Sequence, residues 1–119
     1  MDIDLQDDMA PRVDHDVSGM SVEEMGGRAA EAAALLKALS HEGRLMILCH
    51  LSSGEKSVSA LETLLEARQA AVSQQLARLR TEGLVTARRD GKTIFYSIRD
   101  PKVSAIIDTI YLLYCKASC

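Results

Sequence analysis

Three cysteines, Cys49, Cys115 and Cys119, are the side chains of this 119-residue chain best suited to redox or soft-metal chemistry. Their thiolates can attack sulfur, close bridges or ligate a metal, depending on exposure and on what stands beside them. Cys49 lies in the apolar run RLMILCHL and Cys115 in IYLLYC. On the residues alone, each reads as a small hydrophobe filling a core position. A second reading stays open for Cys115. On a helix turning about 100° per residue, Val103, Ile106, Ile107, Ile110 and Tyr114 form one stripe, and Cys115 falls about 120° round from Val103, beside Ser104, Asp108 and Tyr111. A thiol at the edge of a stripe stays reachable. Cys115 and Cys119, at i and i+4, could also hold a soft metal if Cys49 joined them. Cys119 is assigned only an accessory role. The chain has no Gly-rich phosphate loop, no Ser/His/Asp motif in a supporting context and no cofactor signature, so neither an enzyme nor a bound cofactor is expected.

A second set of side chains suits a polyanion. The net charge of −3 argues against nucleic acid until the chain is divided. Residues 1–31 hold nine acidic side chains against Arg12 and Arg28, whereas residues 68–99 hold seven basic ones against Glu82 and Asp90. Local charge governs attraction to phosphates, and this segment is strongly basic.

These groups need elements to position them. Residues 1–20 are acidic with little apolar periodicity and read as a flexible tail, leaving 21–119 as one domain. Ser21 and Glu24 form a capping box that should open a helix over 22–39. Ser40 is expected to cap a second helix, 41–52, apolar nearly all round and ended by Gly54. Ser57 opens a short helix, 58–66, and a tight break at Ala67-Arg68 leads to another, 69–82, closed by Gly83. Two β-like runs, 84–89 and 93–99, are joined by Asp90-Gly91, a strong hairpin signal. Asp100 caps a last helix, 101–116, with Pro101 in its first turn. The order ααααββα is mainly α with a β-hairpin wing, the pattern of a winged helix-turn-helix.

The helices 58–66 and 69–82 form the helix-turn-helix pair. Val72, Leu76 and Leu79 share the inward face of the second, and Ala70, Ser73, Gln74, Ala77 and Arg78 the outward one. Small residues allow close approach to a groove, and Ser, Gln and Arg can bond base edges and phosphates. With Arg68 and Gln69 at the helix start, and Arg88, Arg89 and Lys92 on the wing, they are the expected contacts to double-stranded DNA. No run of 18 apolar residues spans a membrane, and the acidic start MDIDLQDDMAP lacks the apolar stretch of a signal peptide. The expected location is the cytoplasm, where the cysteines should be thiols.

The stretches ALSHEGRLMIL at 38–48 and SQQLARLRTEGLVTARRDGKTIFYSI at 73–98 resemble the ArsR/SmtB family of winged-helix repressors. The resemblance implies a homodimer, joined through the first and last helices, that binds a palindromic operator and releases it when an effector binds. The stripe on the last helix would then be the dimer seam. Metal-sensing relatives carry Cys-x-Cys at the start of the helix-turn-helix, where this chain has Ser57 and Ser59, or Asp and His on the last helix, which has no histidine here. No metal site is expected. His15 falls in the tail and His50 in the second helix, and His41 matches a family position where capping or packing suits it better than ligation. One cysteine in RLMILCHL and one in the last helix is similar to the SqrR/BigR group of persulfide-sensing repressors. That similarity implies that Cys49 and Cys115 are bridged by reactive sulfur species, persulfide or polysulfide, and that bridging releases DNA. A general thiol-oxidation sensor and a metal sensor are the alternatives.

Overall fold

The computed structural model describes residues 16–116; the expectations for the first fifteen residues and for Cys119 lie outside the described residues. Helix α1, Val22–Leu39, opens on the expected capping box: the Ser21 hydroxyl accepts from the Glu24 N–H at 3.0 Å, and the Glu24 carboxylate from the Ser21 N–H at 3.3 Å. Only its C-terminal part packs on the body of the protein, through Leu35, Ala38 and the buried Leu39.

Helix α2, Glu42–Leu51, starts differently from expectation. His41 is its cap, with Nδ1 accepting the Gly43 N–H at 3.1 Å. Ser40 instead donates its hydroxyl to the Lys37 carbonyl at 2.8 Å. Only two residues separate the helices, so Ser40 meets the unpaired carbonyls of α1 and the free N–H groups of α2 fall to His41. Arg44 ties the same corner, reaching the Ala38 carbonyl at 3.1 Å and Glu82 at 3.5 Å.

A two-residue strand, β1 (Lys56–Ser57), comes next and adds to the expected order. It is too short to show periodicity, and it exists because the edge of a later strand is there to pair with. Helix α3 (Val58–Leu65) is capped by the Ser57 hydroxyl. Glu66 then turns the chain in the left-handed region at φ 51°, and α4 (Gln69–Thr81) begins after Arg68. Gly83, at φ 78°, ends α4: its N–H bonds Arg80, and that of Leu84 bonds Leu79 at 2.9 Å. This paired closure needs a left-handed residue, which glycine supplies without strain.

Strands β2 (Val85–Asp90) and β3 (Thr93–Ile98) form the hairpin, and β1 pairs with the other edge of β3, all antiparallel. The loop is Gly91-Lys92 rather than Asp90-Gly91, because Asp90 pairs with Thr93. Gly91, at φ 65°, supplies the positive φ such a two-residue loop needs at its first position. The core joins Leu48, Leu61, Leu76 and Leu79 to Val85, Val103 and Ile107. Each such side chain contributes about 1.5–3 kcal/mol by burial.

Helix α5, Pro101–Ile110, is capped by the Asp100 carboxylate, which accepts from the Lys102 N–H at 2.9 Å. It does not continue as a regular α-helix to 116. Residues Tyr111–Cys115 form a π-helical turn. The expected seam is corrected here as well. Val103 and Ile107 are buried in the protomer's own core, while Tyr111, Leu112, Leu113 and Tyr114 are exposed. A short domain must use the first turns of its last helix to close its own core, and the π turn shifts the helical phase of the side chains beyond Ile110.

Candidate nucleic-acid interface and thiol pair

Cys49 sits in the second half of α2, half-buried and packed against the core. Cys115 is exposed, at the end of the π turn, and both are unbridged thiols. Burial pushes the Cys49 thiol up from its ordinary range, and the nearby charge of Cys115 pushes it further in the same direction. Side chains 66 positions apart in sequence thus lie within electrostatic reach. The angular argument that placed Cys115 at the edge of an α-helical stripe assumed one helical period throughout, and the π turn replaces that geometry. Among the described residues, no three His, Cys, Asp or Glu side chains converge in a way that could hold a metal ion.

The helix-turn-helix presents the expected faces. Val72, Leu76 and Leu79 of α4 are buried, whereas Gln69, Ala70, Gln74 and Arg78 are exposed and Ser73 is half-buried. Arg68 caps α4 without a side-chain hydrogen bond, and no acid stands in the first turn. The N–H groups there are left for an outside acceptor, the arrangement that suits a phosphate. A cleft of about 490 Å³ opens between this end of α4, the start of α3 and the wing, lined by Ser57, Ser59, Glu62, Gln69, Ser73 and Lys92 among others. Ser57 was expected as a helix cap and Ser59 only as a position lacking sulfur; the place of both in this cleft was not foreseen. Arg78 faces a different groove, with Lys37, His41, Arg44, Glu82 and Lys102.

The three wing cations are not equivalent. Opposed residues of an antiparallel pair share a face. Val85/Ile98, Ala87/Tyr96 and Arg89/Ile94 therefore lie on the core side, towards α3 and α4, and Arg88/Phe95 lie on the back. There the Arg88 guanidinium stacks over the Phe95 ring, 4.9 Å from its centroid, and grips both carboxylate oxygens of Glu55, with Nε–Oε2 at 3.3 Å. The hydrogen bond from Arg88 holds the Glu55 carboxyl below its ordinary range. Arg88 thus pairs with Glu55 on this face of the wing, with its side chain still about half exposed. The signal was invisible locally, since Glu55 lies 33 positions away.

A three-stranded wing behind a packed helix-turn-helix, with a hydroxyl-rich cleft between them, defines a winged helix-turn-helix transcriptional regulator. Residues 41–87 match the model of the bacterial regulatory proteins of the arsR family. The chain is 44% identical over 99 residues to the transcriptional activator HlyU of Vibrio cholerae, spanning 83% of this chain and 92% of the relative. It is 43% identical over 100 residues to the biofilm growth-associated repressor of Agrobacterium fabrum, spanning 84% and 86%. The solved structure of reduced HlyU from Vibrio cholerae superposes with a TM-score of 0.76 at 45% identity, covering 79% of this chain and 99% of that one. The chain belongs to the arsR family, whose members are DNA-binding regulators and not enzymes. No helix among the described residues is long and apolar enough to cross a membrane.

Proposed function

We propose that this regulator is a cytoplasmic homodimeric repressor that holds double-stranded operator DNA while Cys49 and Cys115 are thiols, and releases it once reactive sulfur species bridge them. The observation that supports this reading is the pairing of an exposed thiol, Cys115, with a half-buried one, Cys49, which packs against the same core as the last helix. The chemistry balances without another oxidant. Two sulfane sulfurs pass from glutathione persulfide to one thiolate, releasing two glutathione thiols and leaving a Cys–S–S–SH chain. The second thiolate attacks its middle sulfur, closing a bridge with one added sulfur, and the terminal sulfur leaves as hydrogen sulfide. Each bridge oxidises two thiols by two electrons in all, and those electrons reduce the one departing sulfane sulfur to sulfide. Exposed Cys115 is the entry thiol, and half-buried Cys49 resolves it.

The relatives support a redox and regulatory role: one is a repressor and another has been solved in a form described as reduced. Contacts to DNA are assigned to Arg68, Gln69, Ala70, Ser73, Gln74, Arg78, Arg89 and Lys92. The dimer is assigned to α1 and the last helical segment, where Val22, Leu36, Leu112 and Tyr114 expose apolar surface.

The test uses the reduced full-length protein and a duplex selected from a random pool. Glutathione persulfide should release the DNA and yield a Cys49–Cys115 bridge containing added sulfur by mass spectrometry. Ser at either position should leave DNA binding intact and remove the response. Equal release by peroxide would favour a general oxidation sensor, and persulfide release of Cys49→Ser would overturn the dithiol mechanism.

A further inference from the structure

We infer that Arg88 is a positioning residue of the wing rather than one of its DNA contacts, and that it acts through Glu55. The inference rests on the reading of the hairpin as a DNA-contacting element and specifies how that element is aimed. Beyond Val85, no residue of β2 is buried, and a two-stranded ribbon has little stability of its own. β1 stabilises only the β3 side of the hairpin, over two residues.

The Glu55–Arg88 pair supplies what the ladder lacks. Glu55 directly precedes β1 and Arg88 lies in β2, so their bond crosses over β3, with Phe95 beneath the guanidinium. A two-pronged carboxylate–guanidinium bond fixes orientation as well as distance. Glu55 is in turn tied to the end of α2. The Ser52 and Ser53 hydroxyls bond the Cys49 and His50 carbonyls, and Lys56 Nζ bonds Ser53 Oγ at 3.1 Å and the Gly54 carbonyl at 3.2 Å. The wing is therefore aimed relative to α2.

Glu55 occupies Nε and Nη2 of Arg88, and the remaining Nη1 lies 4.0 Å from Asp90, so a phosphate arriving there would face the charges of both carboxylates. It would also have to reach the side of the sheet turned away from α3 and α4. Lys92, in the cleft beside Gln69 and Ser73, meets neither obstacle.

The experiment measures affinity for a selected duplex across a salt series, with the thermal unfolding of each full-length reduced variant as a folding control. Arg88→Met and Glu55→Gln should weaken binding by the same factor, up to about fivefold for an exposed pair. The double variant should be no weaker than either single one. None should change the slope of log K against log salt, whereas Lys92→Gln should reduce it by about 0.9 for each of the dimer's two wings, about 1.8 in all. The exchange E55R/R88E should restore affinity, since it rebuilds the clasp with its charges reversed. A slope reduced by about 0.9 per wing, about 1.8 per dimer, in Arg88→Met, or tighter binding in Glu55→Gln, would show that Arg88 meets phosphate and would overturn the inference. A folded exchange variant that fails to recover affinity would overturn it too. If neither Lys92→Gln nor the clasp variants alter affinity or slope, the wing leaves the interface and the reading beneath the inference fails with it.

Discussion

Cys49 and Cys115 have the same chemistry but different surroundings, and in the proposed mechanism the difference gives them different steps. A raised pKa keeps Cys49 protonated at neutral pH, so its thiolate becomes abundant only above the ordinary thiol range. Alkylation followed by mass spectrometry should therefore modify exposed Cys115 faster than Cys49 near neutrality. Cys115→Ser should move the pH profile of Cys49 alkylation downward, because one of its two causes of elevation is removed. The profile should stay above that of a free thiol, because burial is the larger cause. An unchanged profile would mean that the thiols are not electrostatically coupled. Glu66 provides a different test at the same scale. Its left-handed backbone, at φ 51°, is strained for a residue with a Cβ. Glu66→Gly should leave stability unchanged or raise it by up to about 1 kcal/mol, while Glu62→Gly inside α3 should cost about 1 kcal/mol in denaturant melts.

At the scale of elements, two contacts made far apart in sequence organise the DNA-binding half. Leu76 anchors α4 from its fully buried face. Leu76→Ala should cost about 2–5 kcal/mol by denaturant unfolding and weaken DNA binding only as the protein unfolds. The Glu55–Arg88 clasp connects the end of α2 to β2 and carries a pH signature. The Glu55 carboxyl titrates lower in the folded chain than in the unfolded one. Its contribution is therefore complete above the unfolded carboxylate value and disappears as pH falls through the lower, folded value. The difference in Tm between the wild type and Glu55→Gln should shrink on acidification through that range. A difference that persisted at lower pH would exclude the ion pair as its source.

The whole molecule exposes apolar side chains that its own core does not use. Most lie along α1 and on the π turn, and Met46 of α2 and Leu64 of α3 are exposed as well. Packing them against a second copy would complete the burial that a small domain needs. Tm should then rise with protein concentration, because association stabilises the folded form. Leu113→Glu should abolish that dependence and reduce the mass in solution towards the 13.0 kDa of one chain, read by light scattering. DNA affinity should fall with it, since paired half-sites need two recognition helices held together. A wild-type chain that runs at the single-chain mass over the whole concentration range would remove the dimer from the proposal.

Much of this architecture was legible because its signals are local. The capping box at Ser21 and Glu24, the Ser57 and Asp100 caps, the closing Gly83 and the Val72/Leu76/Leu79 face each act within a few residues of themselves. A linear pattern therefore located the helices, the hairpin and the inward side of α4. The hairpin loop was displaced by one residue, since pairing of Asp90 with Thr93 is set by the partner strand. Strand β1 was not legible, because its two residues are defined by the edge of β3 they meet. The same holds for the pairing of Arg88 with Glu55 on the back of the wing, and for the division of the last helix between core and surface. The thiols show the contrast most directly. Their identity and the apolar runs around them are properties of the sequence, and so is the hypothesis that they react together. The half-burial of Cys49 and the exposure of Cys115 were decided by the tertiary structure, because packing of α2 and α5 into one core covers the first and leaves the second in solvent.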